Sequence, residues 1–185
     1  MTEKSAPVLE ALAEDLDVEA VLEKFPGLGR EGLRSILAEA ARVAGPGRKG
    51  QKIFAFVDGA ARGNPGEAGA GVVFKDAEGN VVERQARYLG TVTNNMAEYK
   101  ALILALRRAG ELGVTSLQVY SDSELLVNQI NGRYRVRVPH LQELCQEAIR
   151  LMRDIDDVNI SHIPREKNAE ADEQANIAID QSIKS

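Results

Sequence analysis

Four acidic residues stand at positions from which they could act together. Asp58 closes a short run, Ile53-Phe54-Ala55-Phe56-Val57, that is almost wholly apolar, and Asp122 closes another after Val119-Tyr120-Ser121. Glu98 falls in the first turn of a long amphipathic helix, and Asp172 near the start of the last helix. If the two apolar runs are neighbouring strands, Asp58 and Asp122 emerge side by side, and the helical acids close on them from the flanks. Clustered carboxylates repel one another unless a counter-charge is bound. An all-oxygen ligand set suits Mg²⁺ or Mn²⁺ and not zinc, which prefers the thiols and imidazoles scarce in a chain with one cysteine and two histidines. Two Mg²⁺ ions roughly 4 Å apart could activate a water, stabilise a leaving oxygen and neutralise a phosphate in an in-line displacement.

Each acid taken singly has a plainer explanation. An Asp at a strand end serves in turns and helix caps. Glu98 could favour the dipole of its helix, and Asp172 could be one surface acid among Glu166, Glu170 and Glu173. Their combined placement carries the argument.

The elements that position them follow from the hydrophobic patterning. Residues 52–57 read as a strand, and Gly69–Phe74 and Val81–Tyr88 as two more, joined by the hairpin-type turn Asp76-Ala77-Glu78-Gly79-Asn80. Residues 95–111 make a helix with Met96, Tyr99, Leu102, Ile103 and Leu106 on one face. Leu117–Tyr120 is a fourth strand, Ser123–Ile130 a helix closed by Asn131-Gly132, and Pro139–Ile155 another helix. Val158–Ile163 is a fifth strand, and 168–182 the last helix. This order predicts an α/β domain with a mixed five-stranded sheet and helices on its faces. Ahead of it, Gly45-Pro46-Gly47-Arg48-Lys49-Gly50 reads as a linker, 45–51, separating a small helical unit, 1–44, from residues 52–185. Helical spacing joins Val8, Leu9, Leu12 and Leu16, then Val18, Val21 and Leu22. It resumes after Pro26-Gly27 at Leu33, Ile36, Leu37, Ala40 and Ala41. This unit is an acidic appendage for docking on the main domain, a protein partner or nucleic acid.

The formal net charge is -5, which counts against a nucleic-acid binder unless a basic face is local. Residues 1–44 hold nine acids and five bases, so most of the excess lies there. No apolar run is long enough for a membrane span, and the first residues carry acids where a signal peptide needs an apolar core. The single cysteine, Cys145, fits a reducing cytoplasm.

Longer motifs make the reading specific. Asp58-Gly59-Ala60-Ala61-Arg62-Gly63-Asn64-Pro65-Gly66 with Gly69-Ala70-Gly71 resembles the opening signature of the type I ribonuclease H (ribonuclease HI) family. Thr93 to Leu102, Ser121 to Val127 and Ile163 to Asp172 resemble its second, third and fourth motifs, in the family's order, within a match from about residue 52 to about 180. The resemblance implies a ribonuclease H-like fold and an endoribonuclease that cuts the RNA strand of RNA–DNA hybrids with two metal ions, Mg²⁺ or Mn²⁺, on Asp58, Glu98, Asp122 and Asp172. It implies hybrid binding by Asn64, Asn94 and Asn95, whose short amides can reach base edges and 2′-hydroxyls, and a DNA-phosphate role for Thr93. Asn94 or Asn95 could instead be a helix N-cap. The basic, Trp-containing protrusion of many bacterial members is absent, as in a shorter subtype: Gly132-Arg133-Tyr134-Arg135-Val136-Arg137-Val138 runs straight to Pro139. In an extended segment, Arg133, Arg135 and Arg137 would point one way as a phosphate-contacting patch, or simply be a solvated edge. His162 falls on the fifth strand and not in the loop where many members carry a histidine, so Arg165 or Glu166 stands in; His140 belongs to a helix start. Gln174 is polar where an apolar residue is usual.

Three other functions compete: a hybrid-binding module that has lost catalysis, a nuclease acting also on RNA–RNA duplexes, and an interaction protein with solvated acids. The intact carboxylate set argues against the first. The acids that end apolar strands argue against the last.

Overall fold

The computed structural model describes residues 18–43 and 52–183. The chain forms two compact units, Met1–Gly45 and Pro46–Ser185. The helical spacing from Val8 to Leu16 and the proposed linker lie outside the described residues. In the first unit, helices α1 (Val18–Lys24) and α2 (Gly29–Val43) are separated by the turn Phe25-Pro26-Gly27-Leu28. Val21 and Leu33 are buried between them, with Leu22, Phe25, Leu28 and Ile36 packed around. Val18 and Leu37, which share the helical spacing, are exposed.

The second unit runs β1 (Lys52–Gly63), β2 (Gly66–Lys75), β3 (Val81–Val92), α3 (Asn94–Glu111), β4 (Ser116–Ser121), α4 (Glu124–Ile130), α5 (Pro139–Arg153), β5 (Asp157–His162), a 3-10 turn (Arg165–Lys167) and α6 (Ala169–Ile183). The strands form one sheet in the order β3-β2-β1-β4-β5. β1–β2 and β2–β3 are antiparallel, and β1–β4 and β4–β5 are parallel. The expected mixed sheet is present, and so is the β1–β4 adjacency that side-by-side placement of Asp58 and Asp122 requires. The β2–β3 turn forms as expected, with Asp76 accepting hydrogen bonds from the Glu78 and Asn80 backbone N–H groups at 3.1 and 2.7 Å.

Register sorts the sheet into two faces, because successive side chains alternate. Ala55, Val57 and Gly59 pair with Phe74, Val72 and Ala70 on the face covered by α3. The larger core lies there, including Ile53, Tyr99, Leu102, Leu106, Leu117 and Val119. Asp58 and Ala60 pair with Gly71 and Gly69 on the opposite face, under α6. Ala171, Ala175, Ala178 and Ile179 are buried there.

Both helices come unusually close to the strands. A Cβ on Gly59 would lie 2.1 Å from the Ala97 carbonyl carbon, and one on Gly71 would lie 2.1 Å from the Ala171 carbonyl oxygen. Only glycine admits such backbone contact. Glu98 and Asp172 each sit one residue beyond these contact points, so the glycines draw both helical acids in toward β1. Tyr99 adds a tie on the other side of α3: it is 1% exposed and its hydroxyl donates to Gln129 Oε1 at 2.9 Å, fixing α3 to α4.

Several boundaries differ from the patterning. β1 continues to Gly63, so Asp58 lies within the strand and not at its end. The cause is pairing: the parallel ladder with β4 stops at Phe56↔Tyr120, while β2 pairs with β1 down to Gly63↔Gly66. Asp58 is therefore past the end of one ladder and inside another. β2 starts earlier, at Gly66, β3 runs on to Val92, and α5 ends at Arg153, with Ile155 still buried. Residues 131–138 hold no helix and no strand, so the basic protrusion is absent and the three arginines lie in an irregular segment. No helix among the described residues is long and apolar enough to cross a membrane.

Replacing Gly71 by Ala should therefore lower stability by about 2 kcal/mol, since overpacking against backbone has no easy relief. Gly110→Ala, where an added Cβ meets nothing within 4 Å, should raise it by a few tenths to about 1 kcal/mol. Urea unfolding of the two variants checks both signs.

Candidate active site

The four acids converge. Asp58 from β1, Asp122 just past β4, Glu98 from α3 and Asp172 from the first turn of α6 line one open cleft. Glu98 is the fifth residue of α3 and lies past the first turn in which the patterning put it, because the helix starts at Asn94. Asn94, Arg165 and Asn176 line it too. Neither histidine does: His140 is exposed at the start of α5, and His162 is exposed at the end of β5. The helix N-cap is Thr93, whose Oγ1 accepts from the Met96 N–H at 3.3 Å, so neither Asn94 nor Asn95 fills that role. Asn64 Oδ1 accepts from the Asn94 N–H at 3.2 Å, which joins the β1–β2 turn to the start of α3. Asn64, Thr93 and Asn95 stand beside the cleft and not in its lining. Asn64, Asn94 and Asn95 are exposed.

The electrostatics follow from burial. Asp58 is 6% exposed and Glu98 8%. Burial first, then the Asp122 and Asp172 charges, push the Asp58 carboxyl up to about 7. Burial, then Asp58 and Asp122, push Glu98 up to about 9. The Gly59 N–H and Arg165 act in the opposite sense on both, and do not prevail. Glu98 Oε2 is buried and has no hydrogen-bond partner, a costly state for an acceptor.

The other two acids are held by partners. Asn168, 1% exposed, donates from Nδ2 to the Val57 carbonyl at 2.9 Å and to Asp122 Oδ1 at 2.7 Å. Arg165 donates to Asp172 Oδ1 at 3.1 Å, and Asn176 Nδ2 to Asp172 Oδ2 at 3.2 Å. Sequence reasoning missed Asn168 and Asn176 as site residues. Asn168 precedes α6, where an Asn reads as an ordinary cap. Asn176 lies one helical turn after Asp172, and that spacing was the only available signal.

The donor set fits a hard divalent cation. It is oxygen-only, it leaves one buried carboxylate oxygen unpartnered, and two of its acids resist ionising without a nearby positive charge. Among the described residues no three acids are already close enough to form a tight cage. The hydrogen bonds to Asp122 and Asp172 are part of the reason, because they hold those carboxylates on Asn168, Arg165 and Asn176.

The chain resembles known proteins over most of its length. Residues 56–178 match the family model described as reverse transcriptase-like. Ribonuclease HI of Halobacterium salinarum is 39% identical over 132 residues, covering 71% of this chain and 66% of the relative. The chain belongs to the ribonuclease HI family. The bifunctional protein Rv2228c of Mycobacterium tuberculosis is 39% identical over 135 residues, 72% of this chain, but the match spans only 37% of that relative's length. Among solved structures, RNase H1 of Halobacterium salinarum superposes with a TM-score of 0.69 at 38% identity, covering 70% of this chain and 98% of the other. LC11-RNase H1 in complex with RNA/DNA hybrid gives 0.68 at 43% identity, covering 71% and 99%.

The raised acids carry a pH signature. An acid whose folded value exceeds its ordinary one (3.8 for Asp, 4.5 for Glu) adds stability at low pH and loses it as pH rises through the folded value. In chelator, the chain should lose thermal stability between about pH 5 and pH 9. Glu98→Gln should flatten the upper part of that loss, near 9, and Mg²⁺ should offset it in wild type. Melting curves across that range, with and without Mg²⁺, read it out; identical curves for wild type and Glu98→Gln would contradict it.

Proposed function

We propose that this chain is an endoribonuclease that hydrolyses the RNA strand of RNA–DNA hybrids, with divalent cations, two Mg²⁺ or Mn²⁺, held by Asp58, Glu98, Asp122 and Asp172. The observation that carries the proposal is the convergence of four carboxylates from four elements around an unpartnered, buried Glu98 oxygen. When bound, the ions would neutralise the scissile phosphate and lower the energy of the attacking and leaving oxygens. The chain's own residues position everything else. Asn168 holds Asp122 against the end of β1, and Asn176 and Arg165 hold Asp172. The Arg165 side chain is 77% exposed, so its remaining donors are free to meet a phosphate.

Asn64 and Asn94, joined across the turn, present short amides beside the cleft, with Asn95 next to them. Such groups tell RNA from DNA by the 2′-hydroxyl in a wide, shallow minor groove. Thr93 caps α3, and we assign it a contact with the DNA phosphate. The hybrid-bound relative of 43% identity supports the substrate class. We assign this chemistry to residues 52–185, with 1–44 as a separate helical unit joined through 45–51. A buried free thiol at Cys145 fits a cytoplasmic setting.

Incubation with Mg²⁺ and a labelled RNA–DNA hybrid, beside an RNA-only duplex, tests the reading. The RNA strand of the hybrid should be cut, and Asp122→Asn should slow cutting by roughly a thousandfold, about 4 kcal/mol of transition-state stabilisation. Equal cutting of the RNA-only duplex would favour the broader nuclease, and an intact hybrid with both Mg²⁺ and Mn²⁺ would overturn catalysis.

A further inference from the structure

The cleft is lined by four carboxylates and only one cation, Arg165. One cation gives a polyanionic duplex little to hold before metal binds, so affinity must come from cations elsewhere on the chain. Five of the eleven arginines in residues 52–183 are engaged by carboxylates, Arg165 among them. Arg62, Arg84, Arg107 and Arg108 are each paired with a carboxylate. Arg133, Arg135 and Arg137 have no ion-pair partner among the described residues, and all three are exposed. Tyr134, between them, is 51% exposed, unusually bare for a tyrosine.

Their backbone is nonetheless fixed. The Arg133 and Tyr134 N–H groups both donate to the carbonyl of buried Asn128, at 2.8 and 3.1 Å. Gln142 Nε2 donates to the Val136 carbonyl at 2.9 Å, and the Val136 side chain packs against the main core. A loop anchored this way has already met part of the ordering cost of binding. Its place also suits the cleft. α4 starts just after Asp122 and is seven residues long, about 10 Å. A duplex lying over the cleft and on across α4 would carry about six more phosphate charges past this loop.

Resting on the hybrid-cutting function above, we propose that residues 131–138 form a second contact site for the hybrid. Arg133, Arg135 and Arg137 take backbone phosphates, and Tyr134 packs against the sugars between them. This site supplies much of the salt-dependent affinity that the acidic cleft lacks.

The test is binding of the full chain to a fluorescein-labelled RNA–DNA hybrid in chelator, by anisotropy, between about 50 and 200 mM salt. Replacing all three arginines by Gln should weaken binding at least about tenfold and reduce the slope of log affinity against log salt by roughly two to three. Replacing them by Lys should restore the slope. Tyr134→Ala should weaken binding without changing the slope. The double variant Arg150→Gln, Arg153→Gln removes similar exposed charge at the far end of α5 and should change neither quantity. An unchanged triple-Gln variant, or an equal loss in the α5 variant, overturns the proposal while the hybrid-cutting function stands. A wild-type chain that neither binds nor cuts the hybrid overturns both.

Discussion

Repulsion among four carboxylates, set in a partly dry cleft, is the interaction on which the rest of this structure turns. Left alone, such a cluster would spread apart or stay protonated. Two glycines on β1 and β2 let backbone press on backbone, so α3 and α6 deliver Glu98 and Asp172 beside Asp58. The larger core under α3 and the alanine-lined contact under α6 supply the burial that holds both helices there. The result is visible in Asp58 and Glu98, whose carboxyls are pushed up to about 7 and about 9. A cation that binds the ionised acids relieves both burial and repulsion, which makes the site selective for charge before any question of geometry arises.

Asp122 and Asp172 are treated differently by the fold. Each is already hydrogen-bonded, Asp122 to Asn168, and Asp172 to Arg165 and Asn176. These partners aim the carboxylates and lessen their mutual repulsion. Arg165 also balances charge across the cleft while keeping most of its side chain in solvent. One pair of acids is thus poised by desolvation and the other by directed hydrogen bonds.

Much of this was legible in the sequence. The strand and helix order followed from periodicity, whereas the β1–β4 adjacency entered only as the condition for Asp58 and Asp122 to meet. The four acids stood out by position, at the ends of apolar runs and near the starts of two helices. What escaped were features without a local signal. Asp58-Gly59-Ala60-Ala61-Arg62 has little strand propensity, so only pairing with β2 explains why β1 runs through it. Thr93 won the cap from two adjacent asparagines because backbone geometry, not residue preference alone, decided it. Asn168 was read only as the start of the last helix, and its side chain crosses to β1 and Asp122. Arg133, Arg135 and Arg137 alternate like strand residues, yet their segment joins no strand: the Arg133 and Tyr134 N–H groups donate to the Asn128 carbonyl, and Gln142 donates to the Val136 carbonyl.

The account stands most directly on what Mg²⁺ does to protons. Calorimetric titration of Mg²⁺ into the full chain near pH 7.5, repeated in buffers of different ionisation enthalpy, counts protons released on binding. With Asp58 near 7 and Glu98 near 9, binding should release on the order of one proton, and Glu98→Gln should abolish most of that release. Saturable Mg²⁺ binding without proton release, or release unaltered in Glu98→Gln, would contradict the claim that these carboxylates are held in wait for a cation.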